Sequence, residues 1–190
     1  MENPFKKRPA LSPSGTETAD DIYLAVGRAL SIWENTEGVF AHLFGYLIKP
    51  AGNSFAARRA YGSVISGRAR STLILEAANV FFRNFPSDEG RAHLDETMAW
   101  YGDATARRND IAHGQLMPSG PTSGHKGHYL AASVYTTKRS IRLQSPYWYT
   151  ADDINRLTQE FSRLGGKADS LMYRLREPWL ASPETQRERH

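Results

Sequence analysis

From Ile22 to Leu47 apolar side chains return at near-helical spacing, through Val26, Leu30, Trp33, Phe40 and Phe44, until "KP" at 49–50 stops the pattern. This register outlasts an average globular helix and demands an apolar partner along its length. Asp20 and Asp21 oppose the helix dipole correctly for a start near Thr18. Tyr61, Val64 or Ile65, Ala69, Leu73, Ala77 and Val80 predict a second helix, running from an N-cap at Ser54 to about Arg83. Gly62 and Gly67 weaken its middle. Ser87 or Asp88 caps a third helix through Leu94, Met98, Tyr101 and Thr105. It ends at His113–Gly114, where glycine suits a left-handed closing position. Thr150 and Asp153 form a capping box for a fourth, through Ile154, Leu157, Phe161, Leu164, Ala168, Leu171 and Leu175, finishing before Pro178.

Between the third and fourth helices lie a Gly/Pro-rich loop, "MPSGPTSGHKGH", and two β-branched and aromatic runs, "YLAASVY" and "SIRLQSPYWYT". The expected fold is therefore all-α, an antiparallel bundle of about four long helices with a β-hairpin inserted at about 126–149. Residues 1–17, rich in Pro, Ser and Thr, read as a flexible tail, residues 18–180 as one helical domain and 181–190 as a second tail. The chain of 190 residues suits one domain.

With no cysteine, a disulfide scaffold, a thiolate metal site and a cysteine nucleophile are excluded. The basic N-terminus has no apolar run behind it, and the longest apolar stretch, "GVFAHLFGYLI", is well short of the ~20 residues that span a bilayer. The expectation is a cytoplasmic protein with no membrane partner. Outside the two tails, 19 cations face 16 acids. No acid lies between Glu37 and Glu76, an interval holding Lys49, Arg58, Arg59, Arg68 and Arg70. None lies between Asp110 and Asp152, an interval holding Lys126, Lys138, Arg139 and Arg142. Such zones suit a polyanion, or form plain solvated faces.

The second acid-free zone opens inside "TARRNDIAHGQL". On a helix Asn109 and His113 share a face, while Arg108 lies about 140° from His113 at ~3.6 residues per turn and has a side chain long enough to swing back. One permanent cation, one amide and one group titrating near neutrality are the parts needed to cleave RNA without a metal. The histidine takes a proton from the ribose 2′-OH and the guanidinium meets charge building on the phosphate. One histidine cannot easily serve as both base and acid, which gives a chemical reason for a two-fold dimer supplying a second copy. The alternative is an ordinary helix end, where a cation or histidine is favoured by the dipole alone.

The run "RNDIAH", an arginine followed by a polar residue, three more residues and a histidine late in a helix, resembles the signature of the HEPN family of small helical domains. That resemblance implies a metal-independent, cofactor-free endoribonuclease whose site is built by two protomers. Arg108 and His113 would be the catalytic pair, with Asn109 orienting the phosphate or the histidine and Asp110 beside it in support. It further implies a toxin-like role in bacterial defence or stress, restrained by an antitoxin or other regulatory protein. The same family includes non-catalytic members, so the alternative is a helical module binding RNA, a nucleotide or a protein.

Arg58, Arg59, Arg68 and Arg70 could track phosphates, joined by Arg107, Lys138 and Arg139. His125 and His128 lie three apart with no carboxylate or cysteine near, which does not make a metal site. His42 reads as a packed core histidine and His93 as exposed. "PYWY" at 146–149 packs the hairpin on the helices or stacks on bases. Glu76, in "LILEAANVFF", needs a partner if buried, and Arg108 is the one of interest. No phosphate-binding glycine loop, nucleotide fingerprint, "HExxH" or Mg²⁺-type carboxylate cluster is present.

Overall fold

A computed structural model describes residues 2–50, 54–133 and 145–180. Five helices lie among them: α1 (Ala19–Ile48), α2 (Phe55–Ser63), α3 (Gly67–Asn84), α4 (Asp88–Ala112) and α5 (Ala151–Leu180). Three short strands, β1 (Gly114–Ser119), β2 (Lys126–Ala132) and β3 (Trp148–Tyr149), form one antiparallel sheet in that order. The chain read as one helical domain divides into two compact units, Met1–Glu34 with Asp103–Ser162, and Asn35–Gly102 with Arg163–His190.

The helix starts follow from the caps. Thr18 Oγ1 accepts from the Asp21 amide and donates to its carboxylate, and Ser54 and Ser87 accept from the amides of Ala57 and Gly90. Thr150 and Asp153 exchange both bonds of a capping box, at 3.0 and 3.2 Å. The helix expected from Ser54 to Arg83 is instead two. It breaks at Val64–Ser66, where Gly62, Ser63 and two β-branched residues weaken the ladder and Ser66 caps a new start on Ala69. Arg70 Nε donates to the Val64 carbonyl released by the break (2.8 Å).

In the first unit, β1 and β2 pair with Leu116 opposite Leu130, and β2 pairs with β3 at Leu130–Tyr149 and Ala131–Trp148. Parts of the two aromatic and β-branched runs therefore pair, and β1 is a further strand whose Met117–Ser119 end lies in the expected loop. Its signals are poor for a strand: Pro118 lacks an N–H and falls where the register shifts, between Met117 and Ser119. Gly114 also differs from expectation. Among the described residues only Gly127 has a left-handed φ, +93°. Gly114 is needed because a Cβ there would lie 2.5 Å from Leu130 Cγ.

The segment read as a flexible tail is packed. Phe5 is fully buried and stacks on Phe161 at 5.5 Å, Asn3 donates to Asp103, and Ser12 and Thr16 bond to Tyr129 and His128. Its Pro/Ser/Thr content cannot make a helix, but one phenylalanine and a row of backbone groups suffice to lay it down as a strap.

The second unit has its own core, including Phe40, Leu43, Ile74, Phe81, Leu94, Leu164 and Leu171. Its buried carboxylate is Glu37, which accepts from Tyr61 (3.0 Å), Tyr101 (2.9 Å) and Arg70 (2.8 Å). Glu76 is exposed beside Asn79. Among the described residues, no helix is long and apolar enough to cross a membrane.

Candidate functional site

α4 delivers the motif to the first unit, ending where β1 begins one residue after His113. The His113 amide still closes on the Asn109 carbonyl at 3.1 Å, so the helical geometry persists through the histidine and holds Asn109 and His113 on one face. An open cleft of about 370 Å³ lies there, lined by Arg8, Asn109, Asp110, His113 and Tyr147, with Ala132 and Pro146. This volume suits a nucleotide-sized ligand. His113 is exposed, and among the described residues its ring makes no hydrogen bond, leaving both nitrogens available.

Arg108 is not among the residues that line this cleft, although it bonds to Asn109, which is. Its guanidinium turns to Glu34 (3.9 Å) and to the Asn109 side chain (3.2 Å), and its Nε is buried without a partner. The anticipated partner Glu76 is not the one it meets. The cation that lines the cleft is Arg8, from the N-terminal strap.

Asp110 organises the site. Its two oxygens take Arg8 Nε and Nη2 in a fork, both at 2.9 Å, and Oδ2 also accepts from Tyr149 (2.9 Å). Arg107, only 8% exposed, pairs with the same oxygen at 3.4 Å, while Tyr147 donates to the Asp110 backbone carbonyl at 2.7 Å. Arg8 lies over the Tyr147 ring, 5.4 Å from its centroid. The hydrogen bond to Asp110 holds the Arg8 pKa above its ordinary value against the opposing effect of burial. Asp110 thus anchors cations and, as an acceptor-only anion, offers nothing to a phosphate directly.

Burial first, and the Asp110 carboxylate second, push the phenols of Tyr147 and Tyr149 well above the usual tyrosine range. Burial does the same to Tyr61 and Tyr101. A raised folded-state pKa contributes stability that is complete below the unfolded value of about 10 and is lost as pH rises through the folded one. Urea midpoints measured between pH 8 and 11.5 should therefore hold to about pH 10 and then fall. Tyr149→Phe should flatten that fall, and a midpoint rising above pH 10 would contradict the assignment.

The other sequence candidates scatter. Arg70 is committed to Glu37 and Arg107 is buried, so neither presents a free guanidinium to RNA. Arg58 lies over Phe55 and donates to His42 Nε2 (2.7 Å). Because arginine only donates, that ring nitrogen accepts. His42 is exposed rather than packed in the core. Arg59 and Arg68 are exposed, and Lys138 and Arg139 lie outside the described residues. His93 is only partly exposed, in a 120 Å³ cleft of the second unit with Lys167 and Arg174. His125 bonds Thr122, and His128 bonds the Glu17 carbonyl. Among the described residues, no three His, Cys, Asp or Glu could jointly hold a metal ion.

Arg8 is absent from the site residues expected from the sequence, while Arg107 and the "PYWY" tyrosines, expected there to track phosphates, stack on bases or pack, instead surround Asp110. For the tyrosines a signal existed: "PYWY" beside a capping box places alternate phenols on one side of a strand. Arg8 carried none, because nothing local ties it to a residue 102 positions away. Comparisons with family models, with curated proteins and with solved structures return no match for this chain.

Proposed function

We propose that the protein is a metal-independent endoribonuclease of the HEPN type, acting as a homodimer through a composite site. The observation that carries this reading is the exposed, unbonded His113 ring sharing an open cleft with Asn109. The reading includes the antiparallel helical bundle that the resemblance implies, with the β-structure as an addition to that minimal helical core.

In the reaction, His113 of one protomer removes the 2′-OH proton, and the 2′ oxygen bonds to the adjacent phosphorus. The bond from phosphorus to the 5′ oxygen breaks, and the second copy of His113 protonates that leaving oxygen. The products carry a 2′,3′-cyclic phosphate and a 5′-hydroxyl. Asn109 orients the phosphate. Arg108, which does not line its own cleft, is assigned to the charge developing at the partner protomer's cleft.

Cleavage of a mixed RNA pool in excess EDTA tests this. Wild type should cleave, and Arg108→Ala and His113→Ala should each lose roughly 100-fold or more, the scale of acid–base and oxyanion effects. Circular dichroism and light scattering should report folded dimers for all three. Cleavage persisting in His113→Ala would sink the assignment. One observation favours a second reading, a non-catalytic RNA-binding module: Arg108 pairs with Glu34 and does not line the cleft. Absence of wild-type cleavage, with RNA binding retained by all three proteins, would select the module.

A further inference from the structure

We infer that Arg8 is the cleft's phosphate anchor, so that the N-terminal strap supplies a binding residue to the site and the cleft is incomplete without it. This deepens the proposed RNA reading and rests on it for the ligand, but it does not require cleavage.

Three observations converge. The first is charge: Asp110 is one carboxylate shared by two guanidiniums, Arg8 and Arg107, which leaves one positive charge uncompensated beside the cleft. Arg107 is buried, so Arg8, with 37% of its side chain exposed, is the one a ligand can reach. The second is geometry. Asp110 occupies Nε and Nη2 of Arg8, and Tyr147 supports the guanidinium plane, while Nη1 has no partner among the described residues. A guanidinium held at one edge loses little further freedom when its free donors meet an anion.

The third is the way the strap is held. Phe5 buried on Phe161, Asn3 on Asp103, and Gly15 and Thr16 bonded to Lys126 and His128 fix the segment on both sides of Arg8. The arginine is therefore placed by tertiary structure rather than left on a mobile end. Asn109 and His113 line the same cleft and supply an amide and an imidazole to the same anion.

The test is binding of a hexaribonucleotide carrying 2′-O-methyl groups, which cannot be cleaved by its own 2′ oxygen. Dissociation constants are measured over a range of salt for wild type, Arg8→Ala, Arg8→Lys and Arg156→Ala, a residue outside the cleft lining. Arg8→Ala should bind about ten-fold more weakly, with the salt slope reduced by about one ion. Arg8→Lys should fall between, because it keeps charge but loses the fork. Arg156→Ala should match wild type. Should Arg8→Ala prove unstable, phosphate titration of the ¹⁵N-labelled wild type replaces it: the Arg8 Nε–H and His113 signals should move together. Binding by a folded Arg8→Ala within two-fold of wild type, with the same salt slope, would overturn the inference, even if the wild type cleaves RNA. So would a phosphate response at His113 that leaves Arg8 unmoved. A wild type that binds through Arg8 but does not cleave would uphold the anchor while removing the nuclease reading.

Discussion

Asp110→Ala is expected to destabilise the first unit by about 3–5 kcal/mol, the cost of breaking a buried ion pair from one side. Arg107 is only 8% exposed, its Nε already lacks a partner, and removal of the carboxylate takes away the ion pair made by its Nη1. Tyr149 loses its acceptor and Arg8 loses its fork in the same step. Asp110→Asn should cost less, because an amide oxygen still accepts from Tyr149, although the charge is gone. Urea unfolding supplies the free energies. Trypsin supplies a local check: Lys6 and Lys7 are cleavage sites, whereas Arg8 is shielded by Pro9, and release of Arg8 should speed cutting at the two lysines before global unfolding. An Asp110→Ala protein within 1 kcal/mol of wild type, with an unchanged proteolysis rate, would show that the carboxylate does not hold this site together.

Glu37→Ala is expected to cost the second unit a similar amount, about 3–5 kcal/mol. Glu37 is the acceptor for two phenols and one guanidinium, and its removal takes that acceptor from both Tyr61 and Tyr101, whose hydroxyls lie 3.3 Å apart. Burial works against the Arg70 charge, yet Glu37 outweighs it and keeps the Arg70 pKa raised, a sign of dependence on that carboxylate. Arg70 also closes the carbonyl freed between α2 and α3, so its loss loosens the joint itself. A double-mutant cycle with Arg70→Ala should be strongly non-additive, because each single change strands the other partner. Additive losses would mean that the two residues stabilise the unit independently.

The two networks rest on long-range pairs that sequence periodicity cannot reveal. Glu37 sits within the apolar register of α1 and looks, as letters, like a surface acid next to the phenylalanines. Glu76, flanked by a longer apolar run, looked the better buried carboxylate and proved exposed. The difference is which helical face the joint at 64–66 turns inward, and that joint depends on a cap at Ser66 competing with continuation of the helix. Local preferences there are nearly balanced, so packing decides.

What the sequence determined by itself was local: apolar spacing placed the long helices, Thr18, Ser54 and Thr150 set their starts, and the spacing of Asn109 and His113 put them on one face. These follow from backbone hydrogen bonding and from the 3.6-residue repeat, which act between near neighbours. The tertiary structure decided which cation enters the cleft. Arg108, adjacent in sequence to Asn109, bonds to that side chain but does not line the cleft. Arg8, more than a hundred residues distant, is brought in because Phe5 has an apolar slot to fill on Phe161 and Asp110 has a charge to satisfy. Burial and charge pairing are indifferent to sequence separation, so a segment with no helical or strand signal came to furnish the site with its arginine.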